Sequence, residues 1–247
     1  MIFSEIFGLE MEGGMLGTLT VLLHLGTLLA VVIVYFKQLL HMIAHPIKSD
    51  LKWLVVATIP TVLYALFIRA TGWDTVIDET ARELLPFAFL LTALLLVLAD
   101  GIAKNRKIAA TTHKKVRFGD ALGMGLMQCV GTFTGVSRSG STITGGLSGG
   151  LDRNSAANFA FLMSVPAILG AAVLEGYDAL KGGEIAAVMS ASAPMVIAGI
   201  IAAFVSGLLA IKLMLLAVRK LRLKWFSLYL VLLAGAILVN DFVTKLW

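Results

Sequence analysis

Apolar residues in this chain come in long unbroken blocks, with neither the period-two alternation of a half-buried strand nor the one-sided stripe of a surface helix. Six blocks stand out: Met15 to Phe36, Leu51 to Ala70, Leu84 to Ala103, Ser155 to Leu174, Ala193 to Ala217 and Trp225 to Val243. A bilayer core of about 30 Å takes roughly 20 apolar residues of helix to cross. Each block therefore predicts one transmembrane helix. Pro60 and Pro166 fall inside spans, where proline is accepted when neighbours or water satisfy the freed carbonyl; both read as packing kinks. The pattern is that of an all-α polytopic membrane protein.

Composition removes the alternatives. Of 247 residues, 59% are hydrophobic and 14% charged, with a mean hydropathy of +0.93, whereas a soluble domain carries about a quarter charged residues. A soluble enzyme, a disordered scaffold and a nucleic-acid reader are excluded. Cys129 is the single cysteine, which excludes an internal disulfide and any multi-cysteine metal site.

The net charge of +5 is a matter of topology. Lys37, Lys48 and Lys52 follow the first block. Lys104, Arg106, Lys107, Lys114, Lys115 and Arg117 follow the third, and Arg219, Lys220, Arg222 and Lys224 the fifth. The other connections are acidic: Glu5, Glu10 and Glu12, then Asp74, Asp78, Glu79 and Glu83, then Glu175, Asp178 and Glu184. Basic loops stay in the cytoplasm, so both termini are expected outside. The same loops suit anionic membrane lipids, although orientation alone accounts for them.

One hydrophobic region is not a span. Residues Gly119 to Gly150 hold ten of the 24 glycines. Gly119 to Thr134 makes a helix of about 24 Å and Ser141 to Gly150 one of about 15 Å, so neither crosses alone. The segment follows a basic loop and ends at Asp152 and Arg153, before a span whose far end is acidic. It therefore enters and leaves by the cytoplasmic face, as a re-entrant helical hairpin with its tip, Gly135 to Gly140, in the membrane. Irregular backbone at that depth has to be packed in protein or line a cavity. Gly145, Gly146, Gly149 and Gly150 read as close-packing residues. Arg138 does not, because a charge at such depth costs at least about 2.5–3.5 kcal/mol.

The tip suits an anion. Ser139, Gly140 and Ser141 are expected to open the second half-helix, whose first N–H groups lack intrahelical acceptors and sit at its positive end. The Arg138 guanidinium adds bidentate phosphate recognition. Ser137, Ser139 and Thr142 add hydroxyls, although a serine attacks weakly without a base to activate it. Whether Ser137 attacks or only binds stays open at this level.

The elements run span, span, span, hairpin, span, span, span. Inverted repeats with broken helices near the midplane are common in transporter-like folds. The chain thus divides, as one membrane domain, into a first repeat without its hairpin (1–103), a basic loop (104–118) and a second repeat with its hairpin (119–247).

Three stretches carry a family resemblance: Gly135-Val136-Ser137-Arg138-Ser139-Gly140-Ser141-Thr142-Ile143; Gly150-Leu151-Asp152-Arg153; and Phe161-Leu162-Met163-Ser164-Val165-Pro166-Ala167-Ile168-Leu169-Gly170. They resemble the undecaprenyl-diphosphate phosphatases, the bacterial bacitracin-resistance enzymes that recycle the cell-wall lipid carrier. Leu23 to Val31 resembles that family's first full span. The resemblance implies six spans with two re-entrant hairpins in the bacterial plasma membrane, a polyprenyl diphosphate substrate losing its terminal phosphate, and a site open to the outer face. It makes Arg138 and Ser137 the catalytic candidates and Ser139, Gly140, Ser141 and Thr142 the phosphate-binding ones.

This chain departs from the pattern twice. Thr134 stands where the family usually has proline. The family's other motif, a glutamate-rich stretch followed by a serine-serine-glycine-histidine turn, would fall upstream of Met1. Its residues are thought to hold a divalent cation, magnesium or calcium, so the cation is implied but its ligands are not among these residues. Glu5, Glu10 and Glu12 do not match the motif. His41, His45 and His113 lie in basic loops, and His24, inside the first span, reads as a hydrogen-bonded structural residue. The 247-residue chain is therefore expected to be weak or inactive and an upstream-extended one active; equal turnover would contradict this.

Two other classes of function compete at this level. A transporter or flippase for a phosphorylated lipid or anion shares the inverted repeat and the anion site. A degenerate partial homologue would be kept as a binding or assembly partner.

Overall fold

The computed structural model describes residues 13–46, 48–109, 113–181, 184–220 and 224–240. They form eight helices: α1 Gly13–Ala44, α2 Leu51–Thr71, α3 Trp73–Ala109, α4 Phe118–Val130, α5 Arg138–Gly149, α6 Arg153–Lys181, α7 Glu184–Lys220 and α8 Lys224–Val239. No strand occurs among the described residues. Five helices contain stretches long and apolar enough to cross a membrane: Leu22–Ala44, Leu51–Thr71, Glu83–Asn105, Arg153–Val173 and Val196–Leu216. The sixth predicted span corresponds to α8, which is apolar and 16 residues long. Its expected end at Val243 lies outside the described residues, as do Glu5, Glu10, Glu12 and Arg222.

The acidic stretch after the second span is helix, not a connecting loop. Only Gly72 separates α2 from α3, with φ at 70° and its N–H bonded back to the Ile68 carbonyl. Glycine takes this left-handed conformation without steric cost, which ends α2 and lets α3 begin at once. Apolar count marks where a helix leaves the bilayer, not where it stops, and polar residues with good helix propensity carry it on. α3 likewise runs past its apolar block to Ala109 and α6 to Lys181.

The helices fall into two compact units. The first holds α1 up to Leu39, α6 from Val165 and α7 up to Lys212. Here α1 and α7 approach closely through glycine. A Cβ on Gly26 would stand 2.6 Å from the Ile200 carbonyl oxygen, one on Gly199 would stand 3.1 Å from Leu23, and one on Gly207 3.2 Å from Ala30. The small-residue face of α7 thus packs inside the chain. His24 is exposed.

The second unit, residues 40–164 and 213–246, is built around the hairpin. At 13 and 12 residues, α4 and α5 rise about 20 and 18 Å, too short to cross. Their outer ends are stitched together. The His113 N–H donates to the Gly150 carbonyl and the Asp152 N–H to the His113 carbonyl, both at 3.0 Å, in a parallel bridge between His113 and Leu151. The hairpin therefore leaves where it enters. Nearby, Arg153 at the start of α6 pairs with Asp100 of α3.

Glycine lets α4 and α5 sit deep in this unit. A Cβ on Gly125 would stand 2.3 Å from the Ala57 carbonyl oxygen of α2, and Gly145, Gly146 and Gly149 each fit a side chain of α4 where their own would be. Residues Gly140 through Leu147 are all buried. Gln128 of α4 donates to the Thr61 hydroxyl of α2 at 3.1 Å, and α8 lies along α3.

Candidate functional site

The tip of the hairpin is Gly131 to Ser137, joining α4 to α5. It is laid along one face of α3. Gly135 takes φ of 86°, and a Cβ there would stand 2.7 Å from Leu85 Cδ1 and 2.9 Å from Ala88 Cβ. One turn further along α3, the buried Thr92 hydroxyl accepts the Ser137 N–H at 3.0 Å. Two turns beyond Ser137, the Thr144 hydroxyl lies between the Gly140 carbonyl of its own helix at 2.7 Å and the Leu95 carbonyl of α3 at 3.1 Å.

The second half-helix begins at Arg138 rather than at the expected Ser139 to Ser141, because Ser137 is its N-cap. The Ser137 hydroxyl oxygen accepts the Gly140 N–H at 3.1 Å, a cap contact that stabilises a helix start by about 1 kcal/mol. Among the described residues, the N–H groups of Arg138 and Ser139 have no acceptor. Two free N–H groups at the positive end of a helix form the anion-binding geometry expected at the tip.

The site candidates separate into two sets. Ser137 and Ser139 line a cavity of about 450 Å³ in this unit, with their hydroxyl oxygens 3.5 Å apart. Thr92 and Gly135 share this polar end, and Phe89, Leu96, Met214, Phe226, Tyr229 and Leu230 make the rest apolar. Ser141 and Thr142, one turn further along α5, are fully buried and do not line the cavity. Their hydroxyls donate to carbonyls of their own helix, Ser141 to Ser137 at 3.0 Å and Thr142 to Arg138 at 2.9 Å. Gly140 lies against Ser137 and Leu96.

Arg138 stands apart from the two serines that flank it. It is exposed and does not line the cavity. A Cβ on Gly131 would stand 2.6 Å from the Arg138 Cα and 3.4 Å from its Cγ, so the start of the Arg138 side chain packs against the bare backbone of the tip. Among the described residues no carboxylate pairs with it. A guanidinium, two N–H groups and two hydroxyls are donors whose chemistry suits a phosphate monoester or diphosphate end. Ser137 lacks the usual apparatus of a nucleophile: among the described residues neither a histidine nor a carboxylate is hydrogen-bonded to its Oγ.

Residues 1–236 match the family described as bacitracin resistance protein BacA. The chain belongs to the BacA family. It is 35% identical over 240 residues to the undecaprenyl-diphosphatase of Carboxydothermus hydrogenoformans, covering 96% of this chain and 87% of that protein. It is 34% identical over 238 residues to undecaprenyl-diphosphatase 3 of Bacillus cereus, covering 96% and 86%, and equally identical over the same length to the undecaprenyl-diphosphatase of Flavobacterium johnsoniae, covering 96% and 85%.

Within this BacA-family chain, sequence reasoning gave no structural role to three residues that hold the hairpin in place. Thr92 is an ordinary threonine in an apolar span until Ser137 is laid against it. Asp100, also in that span, anchors the exit of the hairpin through Arg153. Asp152 caps α6, its carboxylate accepting the Asn154 N–H at 2.9 Å and the Ser155 hydroxyl at 2.9 Å. An aspartate after a glycine and two residues ahead of polar Asn-Ser is a readable cap signal, whereas nothing local marks Thr92 or Asp100.

The divalent cation implied by the resemblance finds no ligand set here. Among the described residues no three His, Cys, Asp or Glu side chains come together, and the tip offers hydroxyls, N–H groups and a guanidinium, all suited to an anion.

Proposed function

We infer that this chain is a membrane phosphatase that hydrolyses undecaprenyl diphosphate to undecaprenyl phosphate and inorganic phosphate, returning the lipid carrier of cell-wall synthesis to use. Family membership and relatives named undecaprenyl-diphosphatase support the activity. The observation that carries the site is the start of α5: Arg138 unpaired between two cavity-facing serines, with free N–H groups, against an apolar cavity.

The terminal phosphate sits at the start of α5, held by the Arg138 and Ser139 N–H groups and the two hydroxyls, with the guanidinium on its outer oxygens. Negative charge on the equatorial oxygens in the transition state is met by donors already in place, the main route by which proteins accelerate phosphoryl transfer. Phe89, Phe226 and Leu230 take the first isoprenoid units. Ser137 binds rather than attacks. The basic connections support a topology with those loops in the cytoplasm and both termini outside the plasma membrane.

Phosphate release from detergent-solubilised protein, with no gradient across a membrane, tests this reading. Release that disappears in Arg138→Ala supports it. Lipid or anion movement in vesicles without release assigns the site to transport instead.

A further inference from the structure

Among the described residues, Thr92 is the side chain that fastens the tip to a spanning helix at Ser137, which lines the cavity. It is buried at 2% exposure. Its single hydroxyl proton is given to the Ala88 carbonyl at 3.0 Å, so a lone pair of Oγ1 is left to accept the Ser137 N–H at 3.0 Å. The polarity admits no alternative, because an amide N–H can only donate. Ser137 is the N-cap of α5. Its N–H lies outside the helical ladder, and no other acceptor for it occurs among the described residues. Fixing that N–H fixes the Ser137 Cα, and with it the oxygen that caps Gly140 and lies 3.5 Å from the Ser139 hydroxyl.

The surrounding contacts define position along α3 but not rotation of the tip. Gly135 against Leu85 and Ala88 is a steric contact, and Thr144 to the Leu95 carbonyl holds α5 two turns further on. Only the Thr92 bond acts at the residue where the chain turns into the helix.

We propose that Thr92 is a positioning residue for phosphate hydrolysis: its hydroxyl, by accepting the Ser137 N–H, sets the register of the anion-binding start of α5 against α3. Thr92 itself does not touch the phosphate. The proposal rests on the phosphatase reading above for its kinetic half and on the hydrogen bond alone for its structural half.

Two substitutions separate hydroxyl from shape. Thr92→Val keeps the branched volume and removes the acceptor; Thr92→Ser keeps the acceptor and removes the methyl group. Both are compared with the unsubstituted chain, in detergent, by phosphate release from a polyprenyl diphosphate and by peptide-resolved hydrogen exchange across residues 131–141. Thr92→Val is expected to lower kcat at least tenfold with KM within threefold, and to speed exchange at Ser137 at least tenfold. Thr92→Ser is expected to keep at least a third of kcat and slow exchange at Ser137. Unchanged exchange in Thr92→Val overturns the proposal, as does fast exchange with unchanged kcat, or equal damage from Thr92→Ser. No release from either the 247-residue chain or an upstream-extended one overturns the phosphatase reading and the kinetic half with it, while exchange still decides whether the hydroxyl holds the tip.

Discussion

The Asp100 carboxylate and the Arg153 guanidinium form an ion pair across 53 residues of sequence, joining the end of the third span to the helix that follows the hairpin. Both side chains are largely buried, at 15% and 27% exposure, and the other Asp100 oxygen accepts the Lys224 N–H of α8 at 3.4 Å. One carboxylate thus closes the base of three helices at the point where the hairpin exits.

Arg153→Met strands that carboxylate. A partly buried charge without its partner costs about 1–3 kcal/mol, so thermal melting in detergent should fall by several degrees. Asp100→Asn combined with Arg153→Met should melt above Arg153→Met alone, because the unpaired charge is gone. A double substitution no better than the single one would show that the pair does not act as a unit.

Arg138→Lys keeps the positive charge and removes the planar fork. Bidentate contact to phosphate is lost, and turnover should drop about 10- to 100-fold, with Arg138→Ala lower still, about 10³-fold below the unsubstituted chain. Full turnover in Arg138→Lys would mean that charge alone suffices at the tip. Initial rates of phosphate release measure both.

Ser137→Ala removes a helix cap and a cavity-facing hydroxyl together. Loss of the cap costs about 1 kcal/mol, and turnover should fall without vanishing, because the Arg138 guanidinium and the free N–H groups remain. A binder leaves no covalent trace. Acid quenching during turnover should therefore yield no phosphoserine at Ser137, and finding it would reassign this residue as the nucleophile.

Gly125→Ala places a methyl group where the Ala57 backbone of α2 already lies, 2.3 Å from its carbonyl oxygen. Neither backbone moves easily, so the cost is that of overpacking, about 1–3 kcal/mol. Gly123→Ala, two residues away with nothing within 4 Å of its Cβ, should be neutral or stabilising. The difference in melting temperature between the two reads the α2–α4 contact directly.

Asp50, before α2, is half-buried, and burial pushes its carboxyl above the usual carboxylate range against the opposing pull of Lys115 and Lys52. With the folded pKa raised, the folded state holds the proton more tightly. The resulting stability is fully present below the unfolded pKa of about 3.9 and is lost as pH rises through the folded value. At pH 7 the ionised carboxylate is thus a small net cost, and its side chain makes no cap hydrogen bond to offset it. Asp50→Asn should raise the melting temperature slightly at pH 7, within about 2 °C, and give no gain near pH 4.

The hairpin was legible in the chain because its evidence is local. Ten glycines in 32 residues, with too few apolar residues on either side of the tip to cross, exclude a span whatever surrounds them. The tip itself was read three residues late: Ser137 looked like part of the loop, and only its hydrogen bond to the Gly140 N–H makes it a cap. The packing of the Arg138 side chain was not legible, since it depends on a glycine seven residues earlier folding back against its stem.

Sequence by itself determined the helices, the hairpin and the chemistry of the tip. Hydrophobic burial, helix length and the polarity of a helix end act over a few residues and leave their mark in composition and spacing. Tertiary structure decided which of six candidate residues face the cavity, that Thr92 holds Ser137, and that Asp100 meets Arg153. Those outcomes depend on the rotation and register of α5 against α3, and a membrane helix that is apolar on its outward as well as its packed face carries no amphipathic stripe to announce them.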